Sequence, residues 1–232
     1  MIKTVLIKLS GESLSGEYGH GFDIPYMRVI CKRIKEIHDM GVNVGIVCGG
    51  GNFMRGRDAK EMDRVNADYI GMMATIMNSI ALRDVFTSLG VEAYNQSGLA
   101  VSFIDDIDKN KIKDAFANRK IVVFGGGCGK PYFSTDTGAA LRAKDINADI
   151  IIKLTNVDGV YDSDPDTNKD AKMYGEITFD EVIDMKLGVM DLEAMEICRD
   201  NNIEIAVTNI SNENALMDII SGKQVGTRVY KA

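Results

Sequence analysis

Three apolar runs rich in β-branched residues each stop at glycine in this chain of 232 residues. They cover residues 2–9, 42–48 and 121–124, and they lead into Ser10-Gly11, Gly49-Gly50-Gly51-Asn52 and Gly125-Gly126-Gly127. Buried strands of α/β proteins end in this way where the sheet meets a phosphate, because glycine lets backbone N–H groups approach the ligand closely. The sequence therefore predicts an α/β fold built around a polyphosphate.

The third glycine cluster does not form the usual signature of a nucleotide triphosphatase. The segment from Gly125 to Lys130 is one residue short, and Pro131 stands where a metal-binding Ser or Thr would follow. A kinase-like chemistry must therefore rest on a different phosphate-binding fold.

The composition restricts the number of domains and the kinds of partner. A hydrophobic content of 45% with 26% charged residues is ordinary for a globular protein, and no linker-like stretch divides the chain. We therefore expect one domain over residues 1–232. The net charge of −7 argues against nucleic acid or an anionic membrane as a partner. A phosphate ligand must find its positive charge locally.

The cysteines and histidines do not predict a metal site. The four cysteines, at positions 31, 48, 128 and 198, have no C-x-x-C spacing, and only two histidines are present. We expect reduced, mostly buried thiols. The most apolar stretch, residues 69–82, is too short and too polar to span a bilayer, and no signal-like segment follows Met1. We therefore expect a cytoplasmic protein.

Helical and strand-like patterns alternate along the chain. Met27, Ile30, Ile34 and Ile37 recur at helical spacing between the first two strands, and Gly41 closes that helix. Further patterns predict strands at 91–94, 150–154 and 203–207 and helices at 107–117, 134–144, 179–186 and 191–200. This alternation predicts a mainly parallel sheet covered by helices on both faces, with ligands at the carboxyl ends of the strands.

Residues 62–89 predict one long helix or two joined helices, closed by Gly90. Its apolar residues, including Met72, Met73 and Met77, spread around most of the circumference. Two interpretations remain open: a helix of the core, or a helix with one face against a second subunit.

Three cations lie beside the glycine-rich strand ends. Lys8 and Lys153 each stand within an apolar strand, where a lysine is costly unless its ammonium group is paired, and Arg55 follows the second glycine cluster. Any one of them could belong to a structural ion pair, but together they favour a phosphate ligand. Asp136 could cap a helix, or it could hold the two lysine ammonium groups.

Four motifs resemble, in chain order, those of the amino acid kinase superfamily. They are Lys8-Leu9-Ser10-Gly11, Gly49-Gly50-Gly51-Asn52, Ser134-Thr135-Asp136 and Thr155-Asn156-Val157-Asp158-Gly159-Val160-Tyr161. Further segments resemble the bacterial uridylate kinases, which make UDP from UMP: GGGNFMRG at 49–56, DYIGMMATIMNSIALRD at 68–84, NVDGVYDSDP at 156–165 and VMD at 189–191. The resemblance covers residues 3–230 and implies a three-layer α/β/α sandwich with a mainly parallel central sheet.

The resemblance also implies a role for each matching residue. Catalysis would rest on Lys8, Asp136 and Lys153. ATP would be bound by Lys8, Leu9, Ser10, Gly11, Gly51, Arg55, Thr155, Asn156, Tyr161 and Asp164, with the part from about residue 150 forming the ATP side. UMP would be bound by the N-terminal part, through Gly50, Asp68, Cys128, Gly129, Lys130, Pro131, Tyr132, Phe133, Ser134 and Thr135. Mg²⁺ would be held mainly by nucleotide phosphates and water rather than by a protein metal site.

In the resembling family, phosphoryl transfer from ATP·Mg²⁺ to UMP belongs to pyrimidine nucleotide biosynthesis. The resemblance implies activation by GTP, inhibition by UTP and a homohexamer built as a trimer of dimers. The GTP effect would involve Gly16, Glu17, Tyr18, Gly19, His20 and Gly21, together with Arg83, although this segment could equally be a mobile surface loop. Two alternatives remain: a sister kinase acting on another small acid or phosphate, and a non-catalytic nucleotide- or oxyanion-binding protein.

Overall fold

The computed structural model describes residues 2–54 and 61–232. Within these residues the chain forms nine strands and seven α-helices. The strands are β1 (Thr4–Leu9), β2 (Asn43–Cys48), β3 (Ala93–Ser97), β4 (Asp105–Asp106), β5 (Ile121–Gly125), β6 (Ile150–Thr155), β7 (Glu176–Thr178), β8 (Glu204–Asn209) and β9 (Thr227–Tyr230). The helices are α1 (Ile24–Asp39), α2 (Arg64–Ser88), α3 (Lys109–Ala117), α4 (Thr135–Asp145), α5 (Phe179–Asp184), α6 (Leu192–Asp200) and α7 (Ala215–Ile220).

The strands form one sheet in the order β4-β3-β5-β2-β1-β6-β8-β9-β7. The pairs from β4 to β8 along this order are parallel, and β9 runs antiparallel to β8. The chain first builds outward from β1 through β2, and it later returns to the other side of β1 with β6. Such a reversal opens a crevice at the carboxyl ends of the strands, where α/β proteins bind ligands.

Alternate residues of each central strand enter two separate hydrophobic cores. In β1, Val5, Ile7 and Leu9 pack with the side chains of α1, α2 and α7, whereas Leu6 packs with those of α3, α4, α5 and α6. All four side chains are fully buried. Burying an aliphatic side chain of this size contributes roughly 1.5–3 kcal/mol. Helices therefore cover both faces of the sheet, as the sequence predicts.

The predicted elements are present, with shifted bounds. The segment predicted at 62–89 holds one continuous helix, α2 (Arg64–Ser88), which begins at Arg64 because the Asp63 carboxylate caps it by accepting from the Asn66 N–H. Gly41, predicted to close α1, lies two residues beyond its end with a φ of 101°, a conformation that favours glycine. The strand predicted at 91–94 lies instead at Ala93–Ser97. The short strands β4, β7 and β9 and the helix α7 were not predicted.

Two observations concern membranes and thiols. No helix in the part of the chain that the structure describes is long and apolar enough to cross a membrane. Cys31, Cys48 and Cys198 are buried free thiols, and Cys128 is partly buried. Burial raises the pKa of Cys31 to about 12 and that of Cys128 to about 11, so both thiols are protonated at neutral pH.

Candidate active site

Two lysines lie side by side near the carboxyl ends of β1 and β6. Lys8 and Lys153 occupy matching positions of these parallel neighbours, so both side chains project from the same face of the sheet. Asp136, in the first turn of α4, lies between them: Lys8 Nζ is 2.8 Å from Oδ1 and Lys153 Nζ is 3.0 Å from Oδ2. One carboxylate thus holds two ammonium groups, and the trio keeps a net positive charge.

The trio is largely withdrawn from water. The side chains of Lys8, Asp136 and Lys153 are 13%, 17% and 15% exposed. Burial raises the pKa of Asp136, but the attraction of the two ammonium groups outweighs burial, and the pKa lies below the usual 3.8. Burial lowers the pKa of Lys153 from the usual 10.5, although Asp136 opposes this change, and Lys153 also donates to the Val189 carbonyl. A further anion beside these ammonium groups would be attracted strongly, because little water screens them.

Asp136 is held in place by the start of α4. The Ser134 hydroxyl caps this helix by accepting from the backbone N–H groups of Asp136, at 2.9 Å, and Thr137, at 3.1 Å. Ser134 in turn donates to the Asp191 carboxylate, which also accepts from Thr137 Oγ1 at 3.0 Å. Asp191 caps α6 as well, accepting from the Ala194 N–H at 2.9 Å. One carboxylate therefore fixes the starts of two helices beside the lysine pair.

The first two glycine clusters touch each other directly. A β-carbon at Gly11 would lie 2.4 Å from both the Gly49 carbonyl oxygen and the Gly51 nitrogen. A β-carbon at Gly50 would lie 2.8 Å from the Gly71 carbonyl oxygen in α2. No side chain fits at either position without displacing backbone. The glycines therefore allow β1, β2 and α2 to converge on one point.

A cleft of about 390 Å³ opens above this convergence. Ten residues that the sequence predicts to bind nucleotides line it: Lys8, Ser10, Gly11, Gly50, Gly51, Asp68, Lys130, Phe133, Ser134 and Thr135. The structure thus brings the predicted phosphate and acceptor residues together around one space, beside the trio of Lys8, Asp136 and Lys153.

Asp68 connects α2 to the opposite wall of the cleft. Its carboxylate accepts from the Tyr132 backbone N–H at 2.7 Å and from Arg64 Nε at 3.0 Å. The Arg64 guanidinium carbon lies 5.8 Å from the centre of the Tyr132 ring, a cation–π arrangement. Asp68, which the resemblance predicts to bind UMP, therefore joins the two sides of the cleft.

The other residues predicted for the UMP side belong to the segment between β5 and α4. Cys128, Gly129 and Pro131 are partly buried, and Tyr132 is exposed. Gly129 has a φ of 73°, and a β-carbon there would lie 2.0 Å from the Gly98 carbonyl oxygen. This turn therefore requires glycine, and it carries Lys130 and Phe133 to the cleft.

The residues predicted for the ATP side follow β6. Thr155 ends the strand, and the Asn156 carbonyl accepts from Asn209 Nδ2 at 3.2 Å. Tyr161 is partly buried, and Asp164 makes a turn by accepting from the backbone N–H of residue 166 at 2.9 Å. Thr155 and Asn156 thus lie at the carboxyl end of β6, where Asn156 contacts the end of β8 at Asn209.

Two further residues, Leu9 and Arg55, are predicted to bind ATP. The Leu9 side chain is fully buried in the core, so its backbone is the part left to serve a ligand, and its carbonyl accepts from the Gly49 N–H at 3.0 Å. Arg55 lies outside the described residues.

The segment predicted for an effector lies beside a larger cavity of about 680 Å³. Gly16, Glu17 and Gly19 line this cavity together with Asp23 and Asn156. Residues 16–18 form a short 3-10 helix, and the four residues from Glu17 to His20 are exposed. Gly21 is partly buried, and Arg83 is exposed on α2. Acidic side chains in the lining repel phosphate, so the lysine-bearing cleft is the better candidate active site.

Three features of the site were not predicted from the sequence. Arg64 pairs with Asp68. Asp191 caps α6 and also accepts from the hydroxyls of Ser134 and Thr137 at the start of α4. The amides of Asn52 and Asn78 bond to each other behind the first two glycine clusters. The position of Asp191 in the VMD motif and the polar Asn78 within an apolar helix were the available signals. In residues 2–54 and 61–232, no group of three or more His, Cys, Asp or Glu side chains is arranged to hold a metal ion.

Comparison with known proteins identifies the class. The sequence profile of the amino acid kinase family matches residues 3–209. The chain belongs to the amino acid kinase family.

Solved structures give a closer likeness. A UMP kinase from Bacillus anthracis is 38% identical, with a TM-score of 0.95, over 99% of this chain and 96% of that one. A UMP kinase from Ureaplasma parvum is also 38% identical, with a TM-score of 0.93, over the whole of both chains. A uridylate kinase from Archaeoglobus fulgidus is 28% identical, with a TM-score of 0.75. The resemblance stated from the motifs and the α/β fold class are both confirmed.

Proposed function

We propose that this protein is a UMP kinase, which transfers the γ-phosphoryl group of ATP directly to UMP in pyrimidine nucleotide biosynthesis. The observation that carries the proposal is the pair of ammonium groups of Lys8 and Lys153, held by Asp136 beside two glycine clusters that meet. The choice of UMP is supported by the two UMP kinases that are 38% identical over nearly the whole chain.

The acceptor in this reaction needs no general base. A phosphate monoester has a second pKa near 6, so UMP is mostly dianionic at neutral pH and already nucleophilic. The oxygen of the UMP phosphate attacks the γ-phosphorus in line, and the bond to the β-phosphate oxygen breaks to release ADP. What must be overcome is the repulsion between two anionic phosphates.

The positive charges of Lys8 and Lys153 reduce the repulsion between the two phosphates. Lys8 lines the cleft and neutralises charge on the transferred group, and Lys153 stands next to it on the neighbouring strand. Asp136 keeps the two ammonium groups together, although they repel each other, and fixes their positions before substrates arrive. Catalysis then consists of positioning and charge stabilisation by groups that need no rearrangement.

The two substrates approach from opposite sides of the lysine pair. UMP occupies the cleft lined by Gly50, Asp68 and Thr135, and ATP lies along the part of the single domain that begins at about residue 150. Both oxygens of Asp136 already face ammonium groups, so Mg²⁺ fits as a companion of the nucleotide, held by phosphate oxygens and water. Bound there, Mg²⁺ supplies further charge neutralisation.

Regulation, assembly and location are part of the same proposal. We propose activation by GTP through residues 16–21 and Arg83, inhibition by UTP, a homohexamer built from dimers, and a cytoplasmic location. The exposure of residues 17–20 supports a role in binding an effector. The apolar side chains that α2 leaves exposed support a subunit contact.

The test is ADP formation from ATP and Mg²⁺ with UMP, CMP, dUMP or no acceptor, each with and without GTP. We expect turnover with UMP and stimulation by GTP. If none of these nucleotides is phosphorylated, turnover in the same assay with another small acid or phosphate added as acceptor would point to a sister kinase. ATP binding without turnover on any acceptor would favour a binding protein and overturn the proposal.

A further inference from the structure

Two buried asparagine amides form a closed pair behind the glycine clusters. Asn52 and Asn78 are 1% and 0% exposed. Asn52 Nδ2 donates to Asn78 Oδ1 at 2.9 Å, and Asn78 Nδ2 donates to Asn52 Oδ1 at 2.8 Å. The second N–H of Asn78 reaches the Gly49 carbonyl at 2.7 Å, and that of Asn52 reaches the Gly21 carbonyl at 2.9 Å. All four amide N–H bonds are therefore used.

Asn78 is an expensive residue at its position. It lies within α2, where asparagine is a poor helix former, and burial of an amide costs free energy unless every polar atom finds a partner. An apolar side chain would pack there at lower cost. The complete set of hydrogen bonds offsets burial and selects one geometry for the groups that the amide contacts.

Those groups belong to the phosphate site. Gly49 directly precedes Gly50 and Gly51, which line the cleft. Asn52 Oδ1 lies 2.8 Å from the place that a β-carbon of Gly11 would occupy, so the pair stands behind the point where both glycine clusters meet. The amides thus hold that meeting point in place.

A second connection runs from the same pair to residues 21 and 22. The Gly21 N–H donates to the Asn52 carbonyl at 2.9 Å, so the two residues bond in both directions. Next to them, the rings of Phe22 and Phe53 meet edge to face with centres 5.2 Å apart. The second glycine cluster is therefore held by α2 on one side and by the start of the α1 region on the other.

We propose that Asn78, acting through Gly49 and Asn52, is a positioning residue for phosphoryl transfer. It holds the backbone of residues 49–51 in register with Gly11 and Lys8, so that the glycine N–H groups meet the phosphates that the lysines neutralise. The proposal rests on the proposed kinase function. A displacement of about 1 Å in such a site costs on the order of 100-fold in rate.

The experiment compares Asn78→Ala and Asn52→Ala, singly and together, with Asn95→Ala. Asn95 is a matched control, because it is 3% exposed and its Nδ2 donates to Ser79 in α2 at 3.2 Å rather than to Gly49 or Asn52. Three quantities are measured on the purified full chain: kcat with saturating UMP and ATP·Mg²⁺, the melting temperature, and the rise in melting temperature on adding ADP·Mg²⁺.

We expect kcat to fall on the order of 100-fold in Asn78→Ala and Asn52→Ala. The double variant should be no worse than the poorer single variant, because the two amides act as one unit. Both single variants should lose most of the ADP-induced rise in melting temperature. Asn95→Ala should lose a similar amount of stability and keep kcat within about threefold of the unsubstituted protein.

A stability loss with kcat and the ADP-induced rise both retained in Asn78→Ala would reduce the pair to a structural role and overturn the proposal. If Asn78→Ala does not fold, Asn52→Ser carries the same test without altering α2. If the unsubstituted chain makes no UDP, the proposed function fails, and the ADP-induced rise alone decides whether the pair positions a phosphate site.

Discussion

Lys8 is the lysine of the trio that lines the cleft, so its replacement tests the contribution of one ammonium group to catalysis. Lys8→Met keeps the length of the side chain and removes the ammonium group. We expect kcat for UMP to fall by about 10³-fold, because a preorganised charge facing the transferred group is gone, while the far-UV circular dichroism spectrum is unchanged. Lys35→Met, which breaks a surface pair with Asp39, is the control and should leave kcat unaffected. Loss of folding in Lys8→Met would support a structural ion pair instead.

Asp136 keeps the like-charged ammonium groups of Lys8 and Lys153 together. Asp136→Asn leaves both ammonium groups beside a neutral amide, and breaking a buried pair of this kind costs about 3 kcal/mol of unfolding free energy at neutral pH. The folded-state pKa of Asp136 is lowered below 3.8, so its contribution is fully present above the unfolded pKa and is lost as pH falls through the folded one.

Urea unfolding of Asp136→Asn and of the unsubstituted protein at three pH values tests the direction of this pH dependence. The difference in unfolding free energy should be equal at about pH 7 and pH 5 and should shrink below about pH 3.8, where the unsubstituted carboxylate begins to protonate. A difference that persists unchanged at the lowest pH would mean that the ionised carboxylate is not what stabilises the site.

Helix α2 approaches the second glycine cluster through bare backbone, and this contact can be tested from both sides. In Gly50→Ala, the new β-carbon would lie 2.8 Å from the Gly71 carbonyl oxygen, which cannot move without shifting α2. We expect a loss of about 1–3 kcal/mol of unfolding free energy. In Gly71→Ala, the β-carbon meets no heavy atom within 4 Å, so the helix should gain up to about 1 kcal/mol. Equal destabilisation by both substitutions in urea unfolding would contradict this packing.

Local patterns explain which elements could be predicted from the sequence. The periodicity of Met27, Ile30, Ile34 and Ile37 gave α1, and the apolar runs gave the central strands, because each signal is complete within one segment. The short strands β4, β7 and β9 contain two to four residues, too few for a period, and their pairing with neighbouring strands of the sheet gives them their structure.

The residues of the candidate site also fall into two groups: those signalled within one segment of sequence and those defined by contacts between segments. Glycines at strand ends and lysines within apolar strands are local, so Lys8, Gly11, Gly51 and Lys153 could be proposed from the sequence. The contact of Asp68 with the Tyr132 N–H and that of Asn78 with the Gly49 carbonyl join segments far apart in the chain. A polar residue such as Asn78 in an apolar helix signals that a partner is needed, but a single sequence does not identify the partner, because tertiary packing fixes the relative placement of the two elements.

In residues 2–54 and 61–232, one apolar face of α2 stays exposed. Met73 lies four residues after Tyr69 and three after Ile70, Met77 lies four after Met73, and all four side chains are about 40% exposed. A contiguous apolar patch of this kind is typical of a protein interface. Of the two interpretations that the sequence left open for this helix, the exposed face favours contact with a second subunit.

Met73→Lys combined with Met77→Lys tests that contact. Two ammonium groups on the same face would be buried against apolar surface in a dimer, so we expect dissociation, seen by light scattering as a lower molar mass than that of the unsubstituted protein. Met40→Lys, on an exposed side chain at the end of α1, is the control and should leave the mass unchanged. If the double variant keeps the full mass, the subunit contact lies elsewhere. If the unsubstituted protein is itself a monomer, the homohexamer is wrong, and the exposed methionines need a different partner.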